Sequence, residues 1–211
     1  MSFIKQANTA AAATILKSLS KRNIEGYFCQ TSKEAVEKAL SLMPEGSSIS
    51  WGGSMTLSEC GLMDALKTKS YTLIDRATAK TFEEKRALYA KTVMADYYLM
   101  STNALTTQGE LVNIDGTANR VSCLCYGPAN VIILAGMNKV VKDIPSAINR
   151  IRTKAAPPNT TRLALDTPCT KTGVCQDCYS PNCICNQIVI TRRSGIQNRI
   201  KLILINEDLG F

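Results

Sequence analysis

Short apolar stretches alternate with segments of helical periodicity along most of this chain. The apolar stretches predict strands, and the segments between them, where apolar residues recur every three or four positions, predict helices. The predicted strands cover residues 24–29, 48–51, 71–74, 96–101, 130–134, 188–191 and 200–205. The predicted helices cover residues 1–23, 32–43, 55–67, 81–92, 118–125 and 143–154, the last ended by Pro157 and Pro158. This alternation predicts an α/β fold with a largely parallel sheet.

Two segments add detail to the expected sheet. Residues 130–134 form the most apolar stretch, which predicts a central strand buried on both faces. Between Ala104 and Ile114 the apolar period drops to two around Gln108 and Gly109, which predicts a hairpin. A length of 211 residues with 45% apolar composition allows one sizeable domain with an appended lobe.

The charge and hydropathy of the chain indicate the compartment in which it works and the class of partner that it binds. The first helix is amphipathic, with lysines among its apolar residues, so it differs from a secretory leader. No apolar run approaches the roughly 20 residues that span a bilayer, and we expect a cytoplasmic protein. The formal net charge is +8, but the densest basic stretch, residues 192–201, has no aromatic side chains for stacking on bases. An anionic metabolite or a protein is therefore a better partner than nucleic acid, and a homo-oligomeric state stays open.

Five of the nine cysteines fall within seventeen residues, in a chain without histidine: Cys169, Cys175, Cys178, Cys183 and Cys185. The CxxC step at Cys175 and Cys178 lets two thiolates on one turn hold the same ion, and the CxC step at Cys183 and Cys185 supplies another pair. Four thiolates fit a tetrahedral zinc ion or a [4Fe–4S] cluster, and the spacing does not separate these two cofactors.

Disulfides are the alternative role for these cysteines. The odd total and the lack of a secretory leader argue against them, because a cytosolic thiol pool stays reduced. We therefore expect a core over residues 1–156, a cysteine-rich metal-binding loop over residues 157–187, and C-terminal strands over residues 188–211 that return to the core. Two other cysteines, Cys123 and Cys125, are assigned to buried packing.

A strand that ends in two glycines passes directly into a helix at residues 51–61, WGGSMTLSECG. Such a turn leaves several backbone N–H groups aimed at one spot, and nearby hydroxyls add to them, which predicts an anion-binding cradle. The alternative is a plain tight turn in which Ser54 caps the helix. The cradle residues are Gly52, Gly53, Ser54 and Thr56.

Polar side chains crowd a second segment, residues 103–120, between two apolar strands. Turn chemistry with a surface ion pair between Glu110 and Arg120 explains part of this pattern. The side-chain amides of Asn113 and Asn119 suit the clamping of a ligand or of the backbone. Arg120 in this segment and Lys139 after the next strand would neutralise a bound carboxylate or phosphate. The candidate ligand-binding residues are Asn103, Asn113, Asn119, Arg120, Asn138 and Lys139.

The lack of histidine also limits the acid–base chemistry. Proton transfer near neutral pH would fall to a carboxylate with a raised pKa, or to a cysteine or lysine with a lowered pKa. Glu110 and Asp115 are the first candidates for a catalytic carboxylate, and Glu59 is the third. Glu59 also suits a structural role, since an acidic side chain in the first helical turns interacts favourably with the helix dipole.

The segment NALTTQGELVNIDGTANRVSCLCYGPANVIILAGMNKVV closely resembles the LUD domain family, known as lactate utilisation proteins. The segment WGGSMTLSECG and the ending LILINEDLGF carry the same resemblance. It covers nearly the whole chain and is most specific between Ala95 and Arg150.

The resemblance implies a fold like that of the NagB, ribose-5-phosphate isomerase and CoA-transferase superfamily, a Rossmann-like α/β sheet with a small accessory lobe. In that superfamily the strand–glycine–helix turn binds phosphate or carboxylate groups, which supports the cradle at Gly52, Gly53, Ser54 and Thr56. Lactate utilisation proteins are linked to an operon whose products together oxidise L-lactate to pyruvate alongside iron–sulfur subunits. This chain is similar to the small subunit, with a cysteine-rich tail that many small subunits lack.

Two functions are consistent with these observations. In the first, the chain is a component of L-lactate or other small hydroxy-acid oxidation, a subunit of an oxidoreductase with iron–sulfur partner subunits, and its cysteines hold a [4Fe–4S] cluster. In the second, it is an isomerase- or CoA-transferase-like enzyme, or a module that binds a small anionic ligand, and its cysteines hold a structural zinc ion.

Overall fold

The computed structural model describes residues 2–211, which form ten strands and nine α-helices. The strands are Ile24–Cys29 (β1), Ser48–Trp51 (β2), Thr72–Ile74 (β3), Tyr97–Met100 (β4), Ala104–Thr106 (β5), Leu111–Asp115 (β6), Asn130–Gly136 (β7), Val140–Val141 (β8), Gln187–Thr191 (β9) and Ile200–Ile205 (β10). The helices are Phe3–Lys21 (α1), Ser32–Ser41 (α2), Met55–Glu59 (α3), Leu62–Lys67 (α4), Phe82–Val93 (α5), Asn119–Cys125 (α6), Ile144–Arg150 (α7), Ala156–Arg162 (α8) and Pro168–Thr172 (α9). None of these helices is long and apolar enough to cross a bilayer. Met1, which the first predicted helix includes, lies outside the described residues.

Six strands form the main sheet, in the order β1-β10-β7-β4-β2-β3. Every neighbouring pair in this sheet is parallel, with Ile24 opposite Ile200 and Tyr98 opposite Val131. The predicted α/β fold with a mostly parallel sheet is therefore confirmed. The strand β7 lies between β10 and β4, in the interior of the sheet, as its apolar sequence predicts.

Helices cover both faces of the main sheet. Val131 and Ile133 of β7 point to one face, where they share a buried cluster with Ile15 of α1. Ile132 and Leu134 of the same strand point to the opposite face, which packs against α2 and α4. Each of these side chains is fully buried and contributes about 1.5–3 kcal/mol relative to an exposed position. Alternate residues of one apolar run thus fill two separate cores.

A second sheet has four strands, in the order β8-β5-β6-β9. β5 and β6 are antiparallel, with Leu105 opposite Leu111, which confirms the predicted hairpin. The helix α7 packs on this sheet, where Ala147 shares a buried cluster with Ala104 and Val112. The small sheet therefore has its own core beside the main sheet.

The helix predicted over residues 55–67 is divided in two. α3 ends at Glu59 and α4 begins at Leu62, because Gly61 has a φ of +84°. This left-handed conformation interrupts the helix, and glycine adopts it without the penalty that a Cβ atom carries.

The prediction that Pro157 and Pro158 end a helix is wrong. The chain stays helical from α7 through a π-helical turn, Ile151–Ala155, into α8. The wider turn accommodates the prolines, since the Ala156 N–H donates to Ile151 O, five residues back. Both prolines then lie at the start of α8, where a missing N–H group is tolerated.

The cysteine-rich segment lies between α8 and β9, and it includes α9, a short helix that the sequence pattern did not predict. After β9 the chain returns to the main sheet through β10, which pairs with β1 on one side and β7 on the other. A strand from the last part of the sequence thus lies inside the sheet rather than at its edge.

The guanidinium of Arg199 joins the start of β10 to the end of α6. Its side chain is buried and donates to the carbonyl oxygens of Cys123, Leu124 and Pro128 at 2.8, 2.6 and 3.1 Å. Carbonyl groups at a helix C-terminus lack intrahelical partners and carry partial negative charge, so a cation satisfies them well.

We expect the substitution Arg199→Leu to lower the free energy of unfolding by about 3 kcal/mol, because it leaves three buried carbonyl groups without their donor. Urea denaturation followed by circular dichroism measures this change. Arg193→Leu, at an exposed position of the same segment, is the control and should change stability by less than about 0.5 kcal/mol. Equal losses in the two variants would contradict this role of the buried guanidinium.

Candidate functional site

A cavity of about 370 Å³ opens at the carboxyl ends of the main-sheet strands. Gly53 and Ser54 follow β2, Ser101 follows β4, and Lys139 follows β7, and all four residues line this cavity. Ligands of open α/β sheets bind at this edge, because the strands end there and loops with free polar groups begin. We call this cavity the strand-end pocket.

The lining of the strand-end pocket is rich in cations. Arg76, Arg120, Lys139 and Arg162 all contribute to it, whereas Asp115 is its single acidic side chain among the described residues. A pocket of this size and charge suits a small anion.

The glycine turn after β2 is tightly packed. A Cβ atom on Gly52 would lie 3.1 Å from Tyr98 Oη and 3.2 Å from Arg120 Cδ, which explains the glycine. Ser54 caps α3, since its hydroxyl accepts a hydrogen bond from Leu57 N. Within residues 2–211, the N–H groups of Gly53 and Ser54 have no hydrogen-bond partner, and both residues line the pocket. The turn is thus a capped helix start that also leaves donors free.

Arg120 uses all five of its N–H donors inside the protein. Its Nε donates to Asp115 Oδ1, its Nη1 to Ser101 O and Asn113 Oδ1, and its Nη2 to Asn103 Oδ1 and Ile114 O. Arg120 therefore contributes positive charge to the pocket but no free donor for bidentate binding of a carboxylate.

The predicted amides Asn103 and Asn113 clamp backbone. Asn113 Oδ1 accepts from Asn103 N at 3.2 Å, and Asn103 Oδ1 accepts from Ile114 N at 3.0 Å. These reciprocal bonds tie the connection between β4 and β5 to β6. Asn113 is fully buried and does not line the pocket, whereas Asn103 and Asn119 do.

Among the described residues, Lys139 is a buried cation without an acidic partner in hydrogen-bond contact. It is 4% exposed, and its Nζ donates to Thr56 Oγ1 at 2.8 Å and to Ser101 Oγ at 3.1 Å. Burial is the main cause that lowers the pKa of Lys139, the guanidinium groups of Arg150 and Arg120 act in the same direction and Glu59 in the opposite one, and together they bring this pKa to about 7. The amine is therefore partly neutral near pH 7.

Glu110 lies away from the strand-end pocket. Its carboxylate pairs with Arg22, the residue that caps the C-terminus of α1, and accepts from the Thr106 hydroxyl. The expected ion pair between Glu110 and Arg120 is wrong, because Arg120 pairs with Asp115 instead. Only the fold brings α1 against the hairpin, so local spacing could not identify the partner of Glu110.

Two further predicted residues, Glu59 and Asn138, hold a segment beside the pocket. Glu59 accepts a hydrogen bond from Gly210 N, and Asn138 exchanges hydrogen bonds with the backbone of Leu209. A Cβ atom on Gly210 would lie 2.6 Å from Thr56 Oγ1, so this segment lies directly over the start of α3. The predicted cradle is thus partly covered at Thr56 and open at Gly53 and Ser54.

The five clustered cysteines line one small cavity of about 30 Å³, and none of them is in a disulfide. Backbone N–H groups donate to two of their sulfurs, Asp177 N to Cys175 Sγ at 3.5 Å and Cys185 N to Cys183 Sγ at 3.4 Å. Within residues 2–211, no three cysteine, aspartate or glutamate side chains are arranged so that they could hold a metal ion. The cysteine-rich loop of residues 157–187, called the cysteine loop below, thus brings its thiols close together but does not place them in the geometry of metal ligands.

Of the two cysteines that were predicted to be buried on α6, only one is buried. Cys123 is buried in the core against α1, but Cys125 is exposed. Two residues apart on α6, their side chains point in different directions, so only one of them reaches the core.

The cysteine loop touches the wall of the strand-end pocket. Ile184 lines both cavities, and a Cβ atom on Gly116 would lie 3.4 Å from Ile184 Cα. The next residues hold this contact, because Asn186 donates from its backbone to Asp115 O and from its side chain to Gly116 O. A change in the cysteine loop would therefore move part of the pocket wall.

Arg76 is a site residue that the sequence analysis missed. It lies in a short 3₁₀ turn after β3, donates to Trp51 O at 2.9 Å, and has a buried Nε without a partner among the described residues. It also lines a larger groove of about 1040 Å³ that contains aromatic side chains of Trp51, Phe82 and Tyr89. Because Gly53 and Arg76 line both cavities, the pocket and this aromatic groove adjoin.

Arg162 and Phe211 were missed as well. Both line the strand-end pocket, one from the end of α8 and the other beyond β10. No local motif marks either residue, and an exposed arginine at a helix end is usually a solvated side chain.

Comparison with known proteins agrees with the fold. A family profile described as LUD domain matches residues 12–205. The chain is similar to a DUF162 family protein from Deinococcus radiodurans, with a TM-score of 0.53 and 10% identity, and the match covers 94% of this chain and 98% of that one. It also matches eIF2B delta from Chaetomium thermophilum, with a TM-score of 0.39 and 19% identity, over 56% of this chain and 50% of that one. A search of curated proteins found no match.

The lowered pKa of Lys139 predicts a pH-dependent contribution to stability. Between about pH 7 and the ordinary lysine pKa of about 10.4, the unfolded chain binds a proton that the folded chain releases, so stability rises with pH across this window. We expect the unfolding free energy of the wild type, relative to Lys139→Met, to increase by a few kcal/mol between pH 7 and pH 10. Urea denaturation at both pH values measures it, and Lys142→Met, at an exposed position, should show no such trend. A flat difference for Lys139→Met would contradict the lowered pKa.

Proposed function

The chain belongs to the LUD domain family, which is associated with lactate utilisation, and on this premise we propose that its strand-end pocket binds L-lactate or a similar small hydroxy acid. In this proposal the chain is a component of hydroxy-acid oxidation and works with iron–sulfur partner subunits. The observation that carries the proposal is the group of cations at the carboxyl ends of the parallel strands, in a cavity of about 370 Å³.

The free donors of the pocket match the chemistry of a hydroxy acid. A carboxylate needs N–H donors, which the unpaired N–H groups of Gly53 and Ser54 and the guanidinium of Arg76 supply. Its charge is further balanced by Arg120, which cannot rotate toward the ligand because its donors are all engaged. The amine of Lys139, when neutral, can accept the proton of the substrate hydroxyl.

The cysteine loop is proposed to bind the metal centre. Cys169, Cys175, Cys178, Cys183 and Cys185 surround one cavity, and thiolates are suitable ligands for either a [4Fe–4S] cluster or zinc. The loop would close around the metal as it binds, since metal sites seldom exist in finished form before the ion arrives. When bound, an iron–sulfur cluster supplies an electron acceptor. Ile184 of the cysteine loop lies between the cavity that the cysteines line and the strand-end pocket, since it lines both.

A second candidate function rests on the aromatic groove. Its volume of about 1040 Å³ exceeds what lactate needs, and it combines three aromatic rings with Arg76, Lys85 and Arg86. Such a groove suits the nucleotide and pantetheine parts of a CoA ester, with Arg76, Lys85 and Arg86 available to its phosphates, and the acyl end would reach the strand-end pocket past Arg76. In that case the chain is an isomerase- or CoA-transferase-like enzyme, or a binding module, and the cysteines hold structural zinc.

Calorimetric titration with L-lactate, D-lactate, a sugar phosphate and acetyl-CoA tests the ligand. We expect L-lactate to bind, and Arg76→Met to weaken its affinity about tenfold, the value of one charge-assisted hydrogen bond. Arg193→Met, remote from the pocket and exposed, is the control and should bind like the wild type. Binding of acetyl-CoA without binding of either lactate would favour the second function and contradict the first.

Metal analysis and visible absorption of protein purified without oxygen test the cysteine loop. We expect about one [4Fe–4S] cluster per chain and a brown solution, with both lost in a Cys178→Ser, Cys183→Ser double variant, because too few thiolates remain. Cys125→Ser, outside the loop and exposed, should keep the metal. Stoichiometric zinc in a colourless protein would support the second function, and the absence of both metals would rule out a metal centre.

A further inference from the structure

We propose that Lys139 is a nucleophilic amine that forms an imine with a 2-oxo acid bound in the strand-end pocket. This inference deepens the proposed function and rests on it, because a 2-oxo acid is the oxidation product of a 2-hydroxy acid. The hydrogen bonds around the amine, the charges that face it and its position in the pocket wall support this role.

The hydrogen bonds of Lys139 fit a neutral amine. The Thr56 hydroxyl donates its proton to Leu209 O, and the Ser101 hydroxyl donates its proton to Thr102 O. Both hydroxyl oxygens must therefore accept from Lys139 Nζ, at 2.8 and 3.1 Å. A neutral amine has two N–H donors, and these two bonds use both of them. The nitrogen lone pair is then left for a ligand.

The charges around Lys139 also favour the neutral amine. Within residues 2–211 the amine forms no ion pair, and it is 4% exposed. Arg120 of α6 and Arg150 of α7 face it with positive charge, while Glu59 of α3 is the acidic group that acts on it. The Glu59 carboxylate is engaged with Gly210 N, and Asp115 is engaged with Arg120. An ammonium group at this position is thus poorly compensated, in agreement with its lowered pKa.

The pocket selects an acidic carbonyl compound over a neutral one. Lys139 and Ser101 line the same cavity as Gly53, Ser54 and Arg76, whose N–H groups are available to a carboxylate. In a 2-oxo acid the carboxylate and the carbonyl carbon are directly bonded. Because Lys139 lines the same cavity as these donors, a 2-oxo acid held by them has its carbonyl carbon in the cavity that also contains the amine.

The proposed step is a condensation without a change of oxidation state. Lys139 Nζ attacks the carbonyl carbon, a C–N bond forms, and the C–O bond breaks. Both amine hydrogens leave with the carbonyl oxygen as water, which gives the imine. The hydroxyls of Thr56 and Ser101 lie beside the nitrogen and can pass protons during the loss of water.

Reductive trapping tests the inference on the whole chain of 211 residues. The protein is incubated with pyruvate or glyoxylate and sodium cyanoborohydride, and its intact mass and tryptic peptides are then measured. With pyruvate we expect a single covalent gain equal to pyruvic acid less one oxygen atom, located on Lys139. The initial rate of trapping should be several times higher at pH 8 than at pH 6, because the amine loses its proton across this range.

Two variants separate the site from surface chemistry. Lys139→Gln should lose the adduct, whereas Lys142→Arg, which removes an exposed lysine nearby, should keep it. Peptide mapping of the wild type gives the same answer without any variant, so a folding defect in Lys139→Gln does not obscure the result. Adducts spread over many lysines, or no adduct with either 2-oxo acid, would overturn the inference.

The outcome is separable from that of the proposed function. Binding of L-lactate without an adduct would leave the proposed function standing and refute the imine. An adduct on Lys139 in a protein that binds no lactate would refute the hydroxy-acid function and retain a carbonyl-binding amine in the pocket.

Discussion

The guanidinium of Arg120 holds together the parts of the chain that form the pocket wall. Its donors reach the connection between β4 and β5 at Ser101 and Asn103, and they reach β6 at Asn113, Ile114 and Asp115. Burying a cation is costly unless every donor finds an acceptor, and here every donor does. A complete hydrogen-bond set of this kind permits one arrangement of the surrounding loops and resists others. The pocket geometry therefore depends on this single side chain.

Arg120 and Lys139, two cations of the pocket, differ in whether their charge is fixed. Arg120 is paired with an acid and has no donor to spare, so its charge is fixed in place. Lys139 has hydroxyl partners and no acidic partner in contact, so its charge can be lost near neutral pH. Arginine keeps its proton under all ordinary conditions, whereas buried lysine gives it up readily. Arg120 therefore stabilises the structure, whereas Lys139 can lose its proton and react.

The main elements of the fold could be predicted from the sequence, because strands buried on both faces leave apolar runs. The bounds predicted for β1, β2 and β10 agree with the structure to the residue. The π-helical turn before Pro157 could not be predicted, since proline signals the end of a helix unless a wider turn precedes it.

The candidate site shows the same division between local and tertiary information. Gly53 and Ser54 follow β2, Asn103 lies between β4 and β5, and Lys139 follows β7, and these positions in the sequence revealed them. Arg76 came from a surface-like turn that only the fold brings to the pocket. The acidic partner of Arg120 was missed as well: Asp115, which precedes it more closely in the sequence than Glu110, forms the ion pair, and Glu110 pairs with Arg22 instead. Ion-pair choice is decided by packing between elements rather than by spacing within one.

The position of β10 has a consequence for how the chain folds. β1 and β7 are separated by a strand that is synthesised long after both, so the parallel ladder between Ile24 and Ile200 closes a very long loop. Contacts of such large sequence separation form slowly, because the chain entropy is lost before the ladder returns any stabilisation. Until β10 arrives, two apolar strand edges stay open to other chains. A nascent polypeptide of this protein therefore has an extended period in which it depends on protection from aggregation.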